Sequence, residues 1–220
     1  MTSRERWRLV LEPSLVALGV TVLRLLGERG HWSERWFSSE TSGIVPRGTS
    51  WLFGITWLAA PFGIYFAARL MRSGEGPRRP GRALALCVLG VAFLLVAGRL
   101  AWKLPVAFPP ILIFVWLVMV AAAAPAWLGW PALARTLLAY GLASRVVVVA
   151  VMLLAMRGNW GTHYDYVGMP SPFQMPFWPR FLWLAFFPQL VFWVAFTILL
   201  GSVTGSLFVA LFLKLRPRVA

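Results

Sequence analysis

Residues 159–170 read NWGTHYDYVGMP and gather His163, Tyr164, Asp165 and Tyr166 within four positions of an otherwise apolar chain. His163 is one of only two histidines, and acids number seven in 220 residues. An imidazole beside a carboxylate can work as an oriented acid–base couple or bind a transition metal. A separation of two residues puts His163 and Asp165 on one side of an extended segment. His31 lies in a second polar stretch with Glu28, Glu34 and Glu40, so His31, His163 and Asp165 form the metal set to consider. The competing chemistry is structural: Thr162, His163, Tyr164 and Asp165 hydrogen-bond the loop to itself and to helix ends, with Gly158, Gly161 and Gly168 allowing tight turns. The spacing matches no strong metal motif, and the clamp is the favoured reading.

Arg145 is the second candidate. It interrupts an apolar run near its middle, where an unpaired arginine in lipid costs about 3 kcal/mol. Pro61 and Pro188 fall at similar depth in two other apolar runs, and each would free a carbonyl one turn earlier, near Trp57 and Leu184. A guanidinium bonded to those carbonyls and to Gln189 makes a polar centre. It is either a hub joining three helices or a site for an anionic, quinone-like or headgroup ligand, in which Tyr164 and the loop above would take part.

The third feature is GSVTGS at 201–206. Gly201 with Gly205, and Ser202 with Ser206, form small-xxx-small pairs that let helix backbones approach closely. They serve either a homodimer or packing within one chain. The proline-rich strip MPSPFQMPFWPR, with Pro170, Pro172, Pro176 and Pro179, reads as an extended path whose aromatics rest at an interface.

The elements that must hold these residues are apolar helices. The chain is 60% hydrophobic with a mean hydropathy of +0.74. No charge occurs between Lys103 and Arg135, or from Phe181 to Leu213. About 20 helical residues cross a bilayer core of ~30 Å, and only helices suit runs that do not alternate. The expected fold is an all-α polytopic membrane bundle forming one domain over residues 1–220. Its six segments are at about 9–26, 51–71, 83–102, 109–128, 132–156 and 181–213. Five remain if the weak first segment lies on the surface, and that segment is read as retained because no small-residue cleavage site follows it. With both termini cytoplasmic, twelve Lys and Arg fall inside and eight outside, as the positive-inside rule requires. The loops at 27–50 and 157–180 are then outer, and both histidines face that side.

Net charge is +14, but the basic residues flank apolar runs, which points to anionic lipids on the cytoplasmic side and not to nucleic acid. Lone Cys87 excludes a disulfide within the chain. Phosphate loops, HExxH, CxxC and GxSxG are missing from the sequence, and no residue pattern names a cofactor. The leading expectation is a non-catalytic accessory or partner-binding subunit with an ordered extracytoplasmic loop. Behind it stand a small carrier of an anionic or amphipathic solute using Arg145, and a membrane enzyme or metal protein using His163, Asp165 and His31. Arginine-over-lysine usage suggests a bacterial inner membrane.

Overall fold

The computed structural model describes residues 3–39, 41–42, 45–46, 54–101, 103, 106, 109–165 and 173–215. Glu40, Tyr166, Gly168, Pro170 and Pro172 of the sequence reading lie outside them. The described chain is almost wholly helical: α1 (Ser3–Arg29), α2 (Glu34–Phe37), α3 (Ala59–Arg72), α4 (Pro80–Ala101), α5 (Ile111–Ala123), α6 (Pro125–Gly129), α7 (Pro131–Gly158), α8 (Phe177–Phe181) and α9 (Val194–Leu215). A two-residue antiparallel ladder, Thr41–Ser42 against Val45–Pro46, follows α2. Wide π-helical turns at Leu182–Phe186 and Pro188–Trp193 join α8 to α9.

Five helical stretches are long and apolar enough to cross a membrane: Glu5–Arg29, Pro80–Ala101, Ile111–Gly129, Pro131–Gly158 and Phe177–Phe212. The first segment, weak in sequence, is therefore a full-length helix. The segment expected at 51–71 is the one that differs. Among the described residues there, the helix is Ala59–Arg72, 14 residues or about 21 Å. The reason is Pro61. Expected in mid-helix, it occupies the third helical position, where the backbone N–H has no partner within the helix and its loss costs nothing.

Glycines fix the order and direction of the bundle. A Cβ on Gly63 of α3 would meet the Gly201 Cα and the Thr204 hydroxyl of α9 at 2.6 Å. One on Gly205 would meet the Gly63 carbonyl at 2.7 Å and Ala67 at 3.1 Å. Contacts advance together along both chains, so α3 and α9 run parallel. Thr204 Oγ1 donates to the carbonyl of Ala60 at 3.0 Å and seals the crossing. The small-residue face of Gly201 and Gly205 is thus used inside one chain. Ser206 of the same face meets Cys87 of α4 at 3.9 Å, and Ser202 is buried beside it in α9. From α7, Leu133 reaches Gly205, Leu137 reaches Gly201 and Gly141 reaches Thr197. This falling register makes α7 antiparallel to α9.

Two sets of hydrogen bonds define the ends. At one end Arg6 of α1 pairs with Glu75 at 2.9 Å, and Trp130, just before α7, donates to the Glu75 carbonyl at 2.8 Å. At the other, Glu28 of α1 meets His163, just beyond α7. Helices α1 and α7 therefore lie side by side in the same direction. Outward faces are strongly apolar: Leu95, Val96, Leu117 and Leu128 are 60–71% exposed, and the 22-residue α4 buries only Ala83, Cys87, Gly90 and Ala101.

The glycine crossing gives a direct test. Gly63→Ala is expected to lose about 1–3 kcal/mol, since the added methyl collides with backbone that cannot yield. Gly98→Ala has open space around its Cβ and should be neutral or gain up to about 1 kcal/mol from helix propensity. Thermal melting of both variants in detergent checks this, and equal behaviour would reject the crossing.

Candidate functional site

The polar centre at the His163 end starts from helix geometry. Arg24 and Glu28 stand one turn apart on α1, so they share a face. That face turns inward: Arg24 and Glu28 are each 3% exposed. Arg24 Nε donates to Glu28 Oε1 at 2.8 Å. A buried carboxylate needs its lone pairs filled, and the loop after α7 fills them. The His163 backbone N–H donates to Glu28 Oε2 at 2.9 Å. His163 Nδ1 lies 2.7 and 2.8 Å from the two carboxylate oxygens.

The loop can deliver His163 because its own turns are fixed. Asn159 ends α7 in the left-handed conformation (φ 46°), and Gly161 follows at φ 70°, a value that glycine adopts without strain. The Asp165 carboxylate then accepts the backbone N–H of Gly161 (2.9 Å) and of Thr162 (2.6 Å) and the Thr162 hydroxyl (2.9 Å). Asp165 is therefore spent on shaping the turn, as the clamp reading expects. Tyr164 is buried and donates from its hydroxyl to the Thr21 carbonyl of α1 at 3.3 Å. Outside this knot, Arg29 lies 5.4 Å from the Trp160 ring, and Arg157 lies 5.3 Å from that of Trp178 at the start of α8.

The charges follow from these surroundings. Burial pushes the His163 imidazole below its usual 6.5 and outweighs the pull of Glu28 in the other direction. Burial likewise raises the Tyr164 phenol. At neutral pH His163 is uncharged with Nδ1–H donating, Tyr164 keeps its proton, and Arg24 with Glu28 carries the charge.

The metal set of the sequence reading is not assembled. Among the described residues no group of three or more His, Cys, Asp or Glu side chains is placed to hold a metal ion. His163 is occupied by Glu28, Asp165 by its own turn, and His31 is exposed with φ 49° just past the end of α1. The residues that sequence reasoning passed over are Arg24 and Glu28 as a pair. Their i,i+4 spacing was a usable signal, but Glu28 was grouped with the other acids of its stretch.

Arg145 sits half-way along α7 and is 4% exposed. Nη1 donates to Gln189 Oε1 at 2.9 Å, as expected, and Nη2 to the Thr56 hydroxyl at 3.2 Å. The guanidinium carbon lies 5.2 Å from the Trp193 ring centroid, within cation–π range. Thr56 fills the role expected of the carbonyls near Trp57 and Leu184. It does so because α3 starts only at Ala59, leaving Thr56 in the preceding turn. Gln189 is presented by the second wide turn, which begins at Pro188; opening the helix there relieves the clash of a proline ring with the preceding turn.

Glu28→Ala is expected to cost roughly 3–5 kcal/mol, because Arg24 is left buried without its counter-charge; thermal melting of the purified variant checks it. The His163 effect has a definite sign. Its folded-state pKa is lowered, so its contribution to stability is complete above about pH 6.5 and falls away as acidification charges the unfolded chain first. His163→Ala should flatten that part of the stability–pH curve, and an unchanged slope would refute the assignment.

Comparison with protein-family models, with curated proteins and with solved structures finds no match to this chain.

Proposed function

We propose that this chain is an integral membrane protein of the bacterial cytoplasmic membrane that works as a non-catalytic subunit, presenting an ordered outer surface to another membrane protein. Six crossings with both termini in the cytoplasm suit the positive-inside count. The direction of α3, opposite to α1 and α7, supports a return passage between α1 and α4. The single observation that carries the functional reading is the saturation of Glu28: this buried carboxylate is filled by Arg24 and His163 of the same chain. A carboxylate filled in this way holds the 159–165 loop still against α1, which is what a fixed contact surface needs. The exposed Trp178 beside the clamped loop is then a contact residue.

A second reading is favoured by Arg145. Its charge is buried against a hydroxyl, an amide and a ring, with no carboxylate among its contacts. Arg24 also buries its Nη2 without a hydrogen-bond partner among the described residues. Two guanidiniums with one carboxylate suit an anionic or amphipathic solute held between the helices.

Photocrosslinking from position 178 in native membranes tests the first reading, with position 95 on the apolar face of α4 as reference. A discrete heterologous product from 178 and none from 95 is expected; products with lipid or with the chain itself alone would overturn it. Native mass spectrometry decides the second. A stoichiometric anionic solute in the wild type that is lost in Arg145→Leu would establish it, and a solute-free wild type would remove it.

A further inference from the structure

At the end of the bundle opposite His163, the α3–α4 loop and the α6–α7 corner line a half-open cleft of about 760 Å³. Its floor is rigid. Trp130 is 3% exposed and bonds the Glu75 carbonyl, and a Cβ on Gly129 would stand 2.9 Å from the Ala83 Cα. Its walls carry Arg78, Arg79 and Arg82 on one side and Arg135 on the other. The single acid of the lining, Glu75, is bound by Arg6. None of the four guanidinium groups makes a hydrogen bond or ion pair among the described residues. Two long helices, α4 and α7, begin at this cavity with Pro80 and Pro131, and neither has an acid in its first turn. Their positive dipole ends add to the field of the guanidiniums.

We propose that this cavity is a phosphate-binding site whose natural occupant is the headgroup of an anionic phospholipid. Planar guanidiniums on facing walls match the oxygens of a phosphate in forked pairs. The lipid source follows from position. Leu128, at 71% the most exposed large apolar residue among those described, is part of the lining. The cavity opens where apolar helices of membrane-spanning length begin, so acyl chains can run down the outside of α4 and α6 while the phosphate enters. The inference rests on the membrane reading above and assigns to one built site what charge counting spreads over a whole face.

The test uses the full chain. Membrane integration is checked first by carbonate extraction, so failure of the membrane reading shows there and separately. The protein is then melted in nanodiscs of phosphatidylcholine alone or with phosphatidylglycerol, and in phosphatidylcholine with inorganic phosphate. Phosphatidylglycerol is expected to raise Tm by roughly 5 °C or more at saturation, and native mass spectrometry to show one retained anionic lipid. R79Q/R135Q, one change from each wall, should abolish both effects. R69Q/R72Q, which removes equal charge from neighbouring exposed sites, should keep them. If R79Q/R135Q is not recovered folded, R79K/R135K is expected to lose most of the preference, because the charge stays and the fork goes. Equal loss in the R69Q/R72Q control would overturn the site. Inorganic phosphate matching phosphatidylglycerol in phosphatidylcholine discs would overturn the lipid as occupant.

Discussion

Burying one carboxylate, that of Glu28, is the constraint on which the His163 end of this bundle depends. A carboxylate removed from water is costly unless its oxygens are filled by donors. Here the donors come from two directions, Arg24 one turn back and the backbone and ring of His163 beyond α7. The requirement therefore docks the 159–165 loop onto α1 and sets the two helices side by side. Asp165 shapes the turn that makes the docking possible, and Tyr164 extends the seam to Thr21.

The remaining polar groups divide by depth. Arg145 lies mid-way and is served by neutral partners from two other elements, Thr56 and Gln189. Four arginines gather at the far end, their guanidinium groups without a partner among the described residues and open to the surroundings. A charge inside the bundle is thus held by the chain, while charges at its base are left for what lies outside. The glycine and threonine contacts of α3 with α9 hold the centre between them.

Much of this was legible in the sequence, and for physical reasons. Uninterrupted apolar runs made the long helices visible, with boundaries mostly within a few residues, because length and composition alone decide whether a helix suits lipid. Gln189 was found as the partner of Arg145 from depth along two helices, a one-dimensional measure that survives folding. Thr56 was not, since it depends on where α3 begins, and Pro61 could equally stand inside a helix or near its start. Glu28 was seen but not chosen. Which of several acids meets His163 is set by the rotation of α1 about its axis, and its weak amphipathic pattern leaves that rotation undefined. The Arg78, Arg79, Arg82 and Arg135 cavity was invisible for a similar reason: its walls come from segments more than fifty positions apart.

The wide turns before α9 have a consequence for register. A π turn holds more residues than an α turn, so everything beyond it is rotated about the helix axis relative to a uniform helix. Over Leu182–Phe186 and Pro188–Trp193 that added phase lets one continuous rod aim Gln189 at α7 and, a few turns later, Gly201 and Gly205 at α3. Removing a single residue between 182 and 193 would let the backbone relax to ordinary helical spacing. Each such turn takes up about one extra residue, so the glycines would keep their sector, whereas the same deletion in the regular helix between Trp193 and Gly201 would swing them away from the α3 crossing.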